Sequence, residues 1–146
     1  MNEVIAILTS RSSNQIVKAF VGLEFVQQRF SIGSLFNVAE EQVSDLRSLS
    51  RILQKLENEP TKTIIRGTLV DEQLGPIPRN KDTFAATPRQ WCMIDIDSLA
   101  WDGDSRDQKS MLSYATQQLP VEFQSVDFWY HFSSSMGIKS GIRVHL

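Results

Sequence analysis

Runs of strand-forming residues recur from one end of this chain to the other, and only two intervening stretches carry a helical period. That mixture predicts a single α+β unit over residues 1–146. Residues 4–9 read as a first strand, closed by a polar turn over residues 10–14. Residues 15–36 are apolar and aromatic (Phe20, Phe25, Phe30, Phe36) without a period, and the sequence assigns them no element. A helix is expected next. Asn37 with Glu40 three positions on makes a capping-box pattern, and Glu40 and Glu41 suit the positive end of a helix dipole. Val43, Leu46, Leu49, Ile52, Leu53 and Leu56 then recur at helical spacing until Pro60, where a helix cannot continue. This stripe reads as core rather than as a cofactor-binding face.

Residues 61–70 read as a β-branched strand interrupted by Arg66-Gly67. Residues 71–88, with Gly75, Pro76, Pro78 and Pro88, read as a loop that also holds Arg79 and Lys81, with Arg89 just beyond it. Two readings of that loop stay open, a solvated surface and a contact with a template strand. Residues 91–97 form the next expected strand. Ser105 with Gln108 marks a second helix start, and Met111, Leu112, Ala115 and Leu119 supply its buried face before Pro120. Val126, Phe128, Tyr130 and Phe132 then alternate with Asp127, Trp129 and His131, the period of a half-buried strand. A Ser- and Gly-rich turn follows, and residues 142–146 begin another strand. The sequence stops inside that strand, so it reads as a domain whose C-terminal part is missing.

The 41% hydrophobic and 22% charged fractions are those of an ordinary globular protein. Apolar runs are too short to cross a bilayer, and the N-terminus lacks the basic start and long apolar block of a secretory signal. A single cysteine, Cys92, cannot form an internal disulfide, which fits a reducing cytoplasm. Its place between Trp91 and Met93 predicts core packing. A net charge of −2 argues against binding nucleic acid through bulk charge alone. The distribution is more informative. From Asp95 to Asp127 seven acids (Asp95, Asp97, Asp102, Asp104, Asp107, Glu122, Asp127) face only Arg106 and Lys109, whereas from Phe128 onward there are no acids, and His131, Lys139, Arg143 and His145 lie close together. Such asymmetry suits a site where cations and phosphates meet, although chance produces it too.

Met93-Ile94-Asp95-Ile96-Asp97 carries the first chemical signal. In a strand, Asp95 and Asp97 project from one face while Cys92, Ile94 and Ile96 point to the other. Adjacent carboxylates raise each other's proton affinity, and a divalent cation relieves the repulsion. The alternative is a pair of exposed strand-end aspartates. The second signal is the run Ser133-Ser134-Ser135-Met136-Gly137-Ile138-Lys139-Ser140-Gly141-Ile142-Arg143-Val144-His145. Its hydroxyls, glycines and lysine offer backbone N–H groups and a cation to an anion, but the Walker spacing is absent. Arg143 and His145 share a face opposite Ile142 and Val144, placed to reach the same phosphates. A polar hairpin turn with a surface histidine is the plainer alternative.

Taken in order, these elements resemble the archaeo-eukaryotic primase superfamily, in particular the primase-polymerase domains of phages, plasmids and integrated elements. That family's pattern is a hydrophobic-Asp-hydrophobic-Asp strand, then a small-residue-x-His strand, then a hydrophobic-Asp strand. The first falls on Met93 to Asp97 and the second on Arg143-Val144-His145. Ile65-Arg66-Gly67 and Pro88-Arg89-Gln90-Trp91 are similar to the mobile-element branch, so the resemblance covers roughly residues 46–146. It implies a two-layer fold with helices on a small mixed or antiparallel sheet. It implies that Asp95 and Asp97 are catalytic and bind Mg²⁺ or Mn²⁺. His145 would be catalytic and contact the phosphates of an incoming nucleoside triphosphate, with Ser133, Ser135, Lys139 and Arg143 as further nucleotide-binding residues. A single-stranded DNA template and a nearby replicative helicase are the implied partners, with no membrane.

Two departures stand out. Arg143 occupies a position where the family favours a small residue, and the third-motif aspartate would lie beyond Leu146. The expected activity is therefore DNA-directed nucleotidyl transfer in mobile-element replication, with one metal ligand outside this chain. The alternatives are a truncated or degenerate module that binds nucleotide or DNA without turnover, and a different Asp-x-Asp enzyme such as a nuclease or sugar-nucleotide transferase. The last gives no reason for the serine-rich turn and His145.

Overall fold

Ile5, Ala6, Ile7 and Leu8 form an uninterrupted apolar run, and a strand of that kind is stable only when both of its faces are covered. The structure, a computed structural model describing residues 3–11, 19–21, 24–26, 35–71 and 75–146, covers both. The chain divides into two compact units, Met1–Trp91 and Cys92–Leu146, which are described in turn. Each sets a helix against a small antiparallel sheet, so the described residues form an α+β arrangement with small antiparallel sheets and two α-helices.

In the first unit β1 (Glu3–Ser10) lies between β4 (Phe36–Val43) and β5 (Lys62–Ile65), antiparallel to both. Its four central residues are at most 6% exposed. Ile5 and Ile7 meet Val43 and the helix α1 (Leu46–Leu56) through Leu49 and Ile52. Ala6 and Leu8 meet Phe36, Ile77 and Phe84 on the opposite face. Burying each large side chain stabilises by about 1.5–3 kcal/mol, which makes β1 the energetic centre of the unit. Among the described residues the unit also holds two short antiparallel pairs, β2 (Ala19–Val21) with β3 (Glu24–Val26), and β6 (Thr68–Leu69) with β7 (Phe84–Ala85). The expected strand over residues 61–70 is thus present as β5 and β6, broken where Arg66-Gly67 predicts. The turn expected at residues 10–14 lies largely outside the described residues.

The first helix begins later than Asn37. Residues 36–43, with their helix-forming Ala39-Glu40-Glu41-Gln42, pair with the whole length of β1, from Ser10↔Phe36 to Glu3↔Val43. Pairing with the central strand outweighs a weak local preference. The cap is Asp45, whose carboxylate accepts from Ser48 N at 2.6 Å while Ser48 Oγ accepts from Asp45 N at 3.1 Å. This is a capping box with serine in the reciprocal position. Those bonds, the backbone donation from Ser48 first, hold the Asp45 carboxyl below its usual range.

In the second unit β10 (Ile142–His145) lies between β8 (Asp95–Leu99) and β9 (His131–Phe132), antiparallel to both. The helix α2 (Gln108–Gln117) covers one face: Met111 and Ala115 pack on Ile142 and Val144, all at most 1% exposed, with Ile96 and Leu99 beside them. Its cap is Asp107, bonded to Ser110 by Oγ at 2.6 Å and by N at 3.1 Å, two residues beyond the expected Ser105.

Three further expectations are corrected. The strand expected over residues 91–97 begins at Asp95, with Ile94 already bonded to Leu146, and Cys92 is exposed rather than core. The strand expected from Val126 is reduced to His131–Phe132. Val126, Phe128 and Tyr130 are 48%, 42% and 40% exposed, because the two-residue β9 is the only part of that run paired with β10. No helix among the described residues is long and apolar enough to cross a membrane.

Candidate functional site

The three strands of the second unit bury Ile142 and Val144 against α2, and the alternation of a strand then turns Arg143 and His145 to the other face. Antiparallel register decides what they meet. His145 pairs with Asp95 on one side and with His131 on the other. Asp95, His145 and His131 therefore form a row across the open face, with His145 Nε2 3.3 Å from Asp95 Oδ1 and the imidazoles 6.4 Å apart. Trp129 extends the row by stacking on His131, ring centroids 5.9 Å apart and planes 7° from parallel.

One step along β10 the register shifts. Ile142 pairs with Leu99 but Val144 with Ile96, so Asp97 and Ser98 together oppose Arg143, a β-bulge. The reason lies in the sequence: Ile96 and Leu99 are three apart, and only an inserted residue returns both to the core face. Ser98 adopts the left-handed conformation with φ 66°, a conformation that carries strain for a residue with a side chain. Close to it Gly141 has φ 78°, and a Cβ there would sit 2.7 Å from the Leu99 carbonyl oxygen, so glycine is required twice over.

The bulge aims two acceptors at one guanidinium. Arg143 donates through Nη1 to Asp97 and through Nη2 to Ser98 Oγ. The Arg143 side chain is 11% exposed, whereas those of Asp97, Asp95 and His145 are 67%, 62% and 40% exposed. Arg143 Nε is buried without a hydrogen-bond partner among the described residues. The face thus presents two carboxylates, each with a basic group beside it.

The serine-rich turn is placed by the same strand. Ser133 N donates to Arg143 O at 2.9 Å, so the turn begins where β9 leaves β10. Ser133 and Ser135 bond each other through their hydroxyls at 2.9 Å, and Ser135 is buried. Its carbonyl accepts from Ile138 N and Lys139 N, which closes the turn and leaves Lys139 exposed. The structure thus brings Asp95, Asp97, Arg143 and His145 together and ties Ser133 to them through the backbone. The Ser135 hydroxyl faces inward to its neighbour. Sequence reasoning missed Ser98, whose signal was the odd apolar spacing from Ile96 to Leu99. It also left out His131 as a member of the row, although His131 and His145 are brought level by register alone.

Asp95 and Asp97 suit a hard cation of the Mg²⁺ class, which takes one or two protein carboxylates and fills its remaining positions with water and substrate oxygens. Among the described residues no three His, Cys, Asp or Glu side chains converge to hold a metal ion by themselves. The donor set fits only an ion that shares its coordination with a ligand. No protein-family model, curated protein or solved structure matches the chain.

Proposed function

We propose that the open face of the second unit is the nucleotide site of a primase-polymerase-type domain, with the two-layer sheet-and-helix arrangement of that superfamily. Its role would be metal-dependent nucleotidyl transfer from nucleoside triphosphates on a single-stranded DNA template. The observation carrying this reading is the pairing of β8 with β10, which sets the exposed Asp95, Asp97 and His145 on one face beside the nearly buried Arg143. Asp95 and Asp97 would hold Mg²⁺ or Mn²⁺. A divalent ion, when bound, would supply the charge that lets a triphosphate approach two carboxylates. Arg143, whose fork matches phosphate geometry, and His145 would bind phosphate oxygens, with Lys139 on the adjoining turn as a further cation. The setting is cytoplasmic replication of a mobile element, with a helicase as functional partner.

The test is titration of a fluorescent nucleoside triphosphate into the folded chain with and without Mn²⁺, repeated for Asp95→Asn, Asp97→Asn, Arg143→Lys and His145→Ala. Metal-dependent binding, weakened on the order of tenfold or more in each variant, is expected, since the aspartate and histidine variants lose a charge-assisted contact worth about 1.5–3 kcal/mol and Arg143→Lys loses the two-pronged geometry of the guanidinium. Wild-type binding in the aspartate variants would overturn the metal assignment. A second reading, a module that binds nucleotide or DNA without turnover, is favoured by the lack of a three-ligand metal cluster among the described residues. Binding that is independent of the metal yet sensitive to Arg143→Lys would select it.

A further inference from the structure

β9 is the outer strand of the second unit's sheet, and its far edge carries no strand among the described residues. The chain leading into it keeps strand geometry. Trp129 stacks on His131, and Tyr130 meets Phe132 edge-on with ring centroids 5.7 Å apart, so residues two apart share a face. Among the described residues no backbone hydrogen bond is made by residues 126–130. The ladder tells where the unused groups point. Ser133 N donates to Arg143 O at 2.9 Å, and antiparallel residues alternate, so His131 faces β10 while the N–H and C=O of Phe132 and Tyr130 point outward. The same segment is apolar on its surface: Val121, Phe123, Val126, Phe128 and Tyr130 are 71%, 37%, 48%, 42% and 40% exposed. An open, apolar edge of this kind is a template for another strand.

We propose that this edge pairs with the same edge of a second copy of the chain, antiparallel about a two-fold axis at Trp129. The run Val126-Asp127-Phe128-Trp129-Tyr130-His131-Phe132 is self-complementary when reversed. Phe128 falls opposite the partner's Tyr130, Asp127 opposite the partner's His131, and Val126 opposite the partner's Phe132. The backbone agrees with that register. Phe128 and Tyr130 both aim their groups outward and exchange hydrogen bonds, while Asp127 and His131 take the non-hydrogen-bonded position, where side chains come closest. Acid against base and aromatic against aromatic are both favourable across a strand pair, and two-fold symmetry makes each pair twice. Centring the axis on Asp127 or on His131 instead would set like groups opposite each other. Seven residues a side fall short of the about 20–30 of a standard interface, so the dimer is reversible, with a micromolar dissociation constant.

The test is sedimentation velocity of the full chain from about 1 to 200 μM, a range that brackets such a constant. Wild type should pass reversibly from monomer to dimer. Asp127→Lys and His131→Glu each set like charges opposite each other twice, and each should raise the dissociation constant on the order of tenfold. Asp127→Lys/His131→Glu restores the pair with its sign reversed and should return to within about threefold of wild type. Tyr130→Pro removes an outward N–H and should abolish the dimer while the dilute monomer keeps its melting temperature. Should that variant melt early, the charge swap at two exposed positions decides alone. Val70→Lys, at a 51% exposed apolar residue of the first unit, should match wild type. A monomer throughout the range, a dimer that survives in a well-folded Tyr130→Pro, or a double variant as weak as the single ones would each overturn the proposal. Growth beyond a dimer would overturn it too, since a two-fold pairing closes on itself. No nucleotide or metal enters the measurement, so this proposal and the nucleotide reading fail separately.

Discussion

The central strands of the two units, β1 and β10, make opposite uses of the same geometry. Both lie in the middle of three antiparallel strands. β1 is apolar on both faces, with α1 over one and the Phe36, Ile77 and Phe84 cluster over the other. β10 alternates, Ile142 and Val144 beneath α2 and Arg143 and His145 on the open face. A strand buried on both faces can only stabilise. A strand buried on one face can hold polar groups in fixed register, because its core side sets their positions. The difference explains why candidate chemistry gathers on the smaller unit and not on the central sheet of the first.

The largest test of that contrast is Leu8→Ala, which leaves a cavity in β1 and should cost about 2–5 kcal/mol in denaturant unfolding. His145→Thr, on the open face of β10, should stay within about 0.5 kcal/mol of wild type. Comparable losses in the two would break the comparison. A smaller effect is expected from Gly141→Ala, which opposes both the left-handed backbone and the approach of Leu99 O, at about 1–3 kcal/mol. If the bulge aims Asp97 and Ser98 at Arg143, this variant also loses Mn²⁺-dependent triphosphate affinity, whereas Leu8→Ala keeps it as long as the second unit remains folded. Retained affinity in a destabilised Gly141→Ala would show that the bulge does not organise the site.

The smallest effect concerns the caps. The folded Asp45 carboxyl is held low by the Ser48 backbone bond above all. Its contribution is therefore present above the ordinary carboxylate pKa of about 3.9 and lost as pH falls through the lower folded value. Asp45→Ala should lower the melting temperature by a few degrees at neutral pH, with the difference closing in acid. Asp107, held low by the Ser110 hydroxyl first, should behave alike in the second unit. A difference that stays constant into strong acid would contradict the cap assignment.

Hydrophobic order made much of the fold legible. The unbroken run at residues 5–8, the stripe from Leu46 to Leu56, the break at Arg66-Gly67 and the alternation at residues 142–145 each appear as the element their period predicts. The failures have a common cause. Residues 36–43 look helical in isolation and become a strand because β1 is long enough to pair with all eight. Residues 126–130 alternate like a strand and stay exposed because only the short β9 joins β10. At the site, composition and spacing marked Asp95, Asp97, Arg143 and His145, but nothing local says which carboxylate meets which base.

What the sequence by itself determined is the parity of each side chain, the apolar faces and the residue types available for chemistry, since these follow from local geometry and the cost of leaving apolar surface in water. What only the tertiary structure decided is partnership. Long-range pairing chose β4 over a helix, the bulge at Ser98 turned Asp97 and Ser98 toward one guanidinium, and register set Asp95, His145 and His131 in a row. Register is fixed when a whole strand finds the one alignment that buries its core side, and no short window of sequence contains that information.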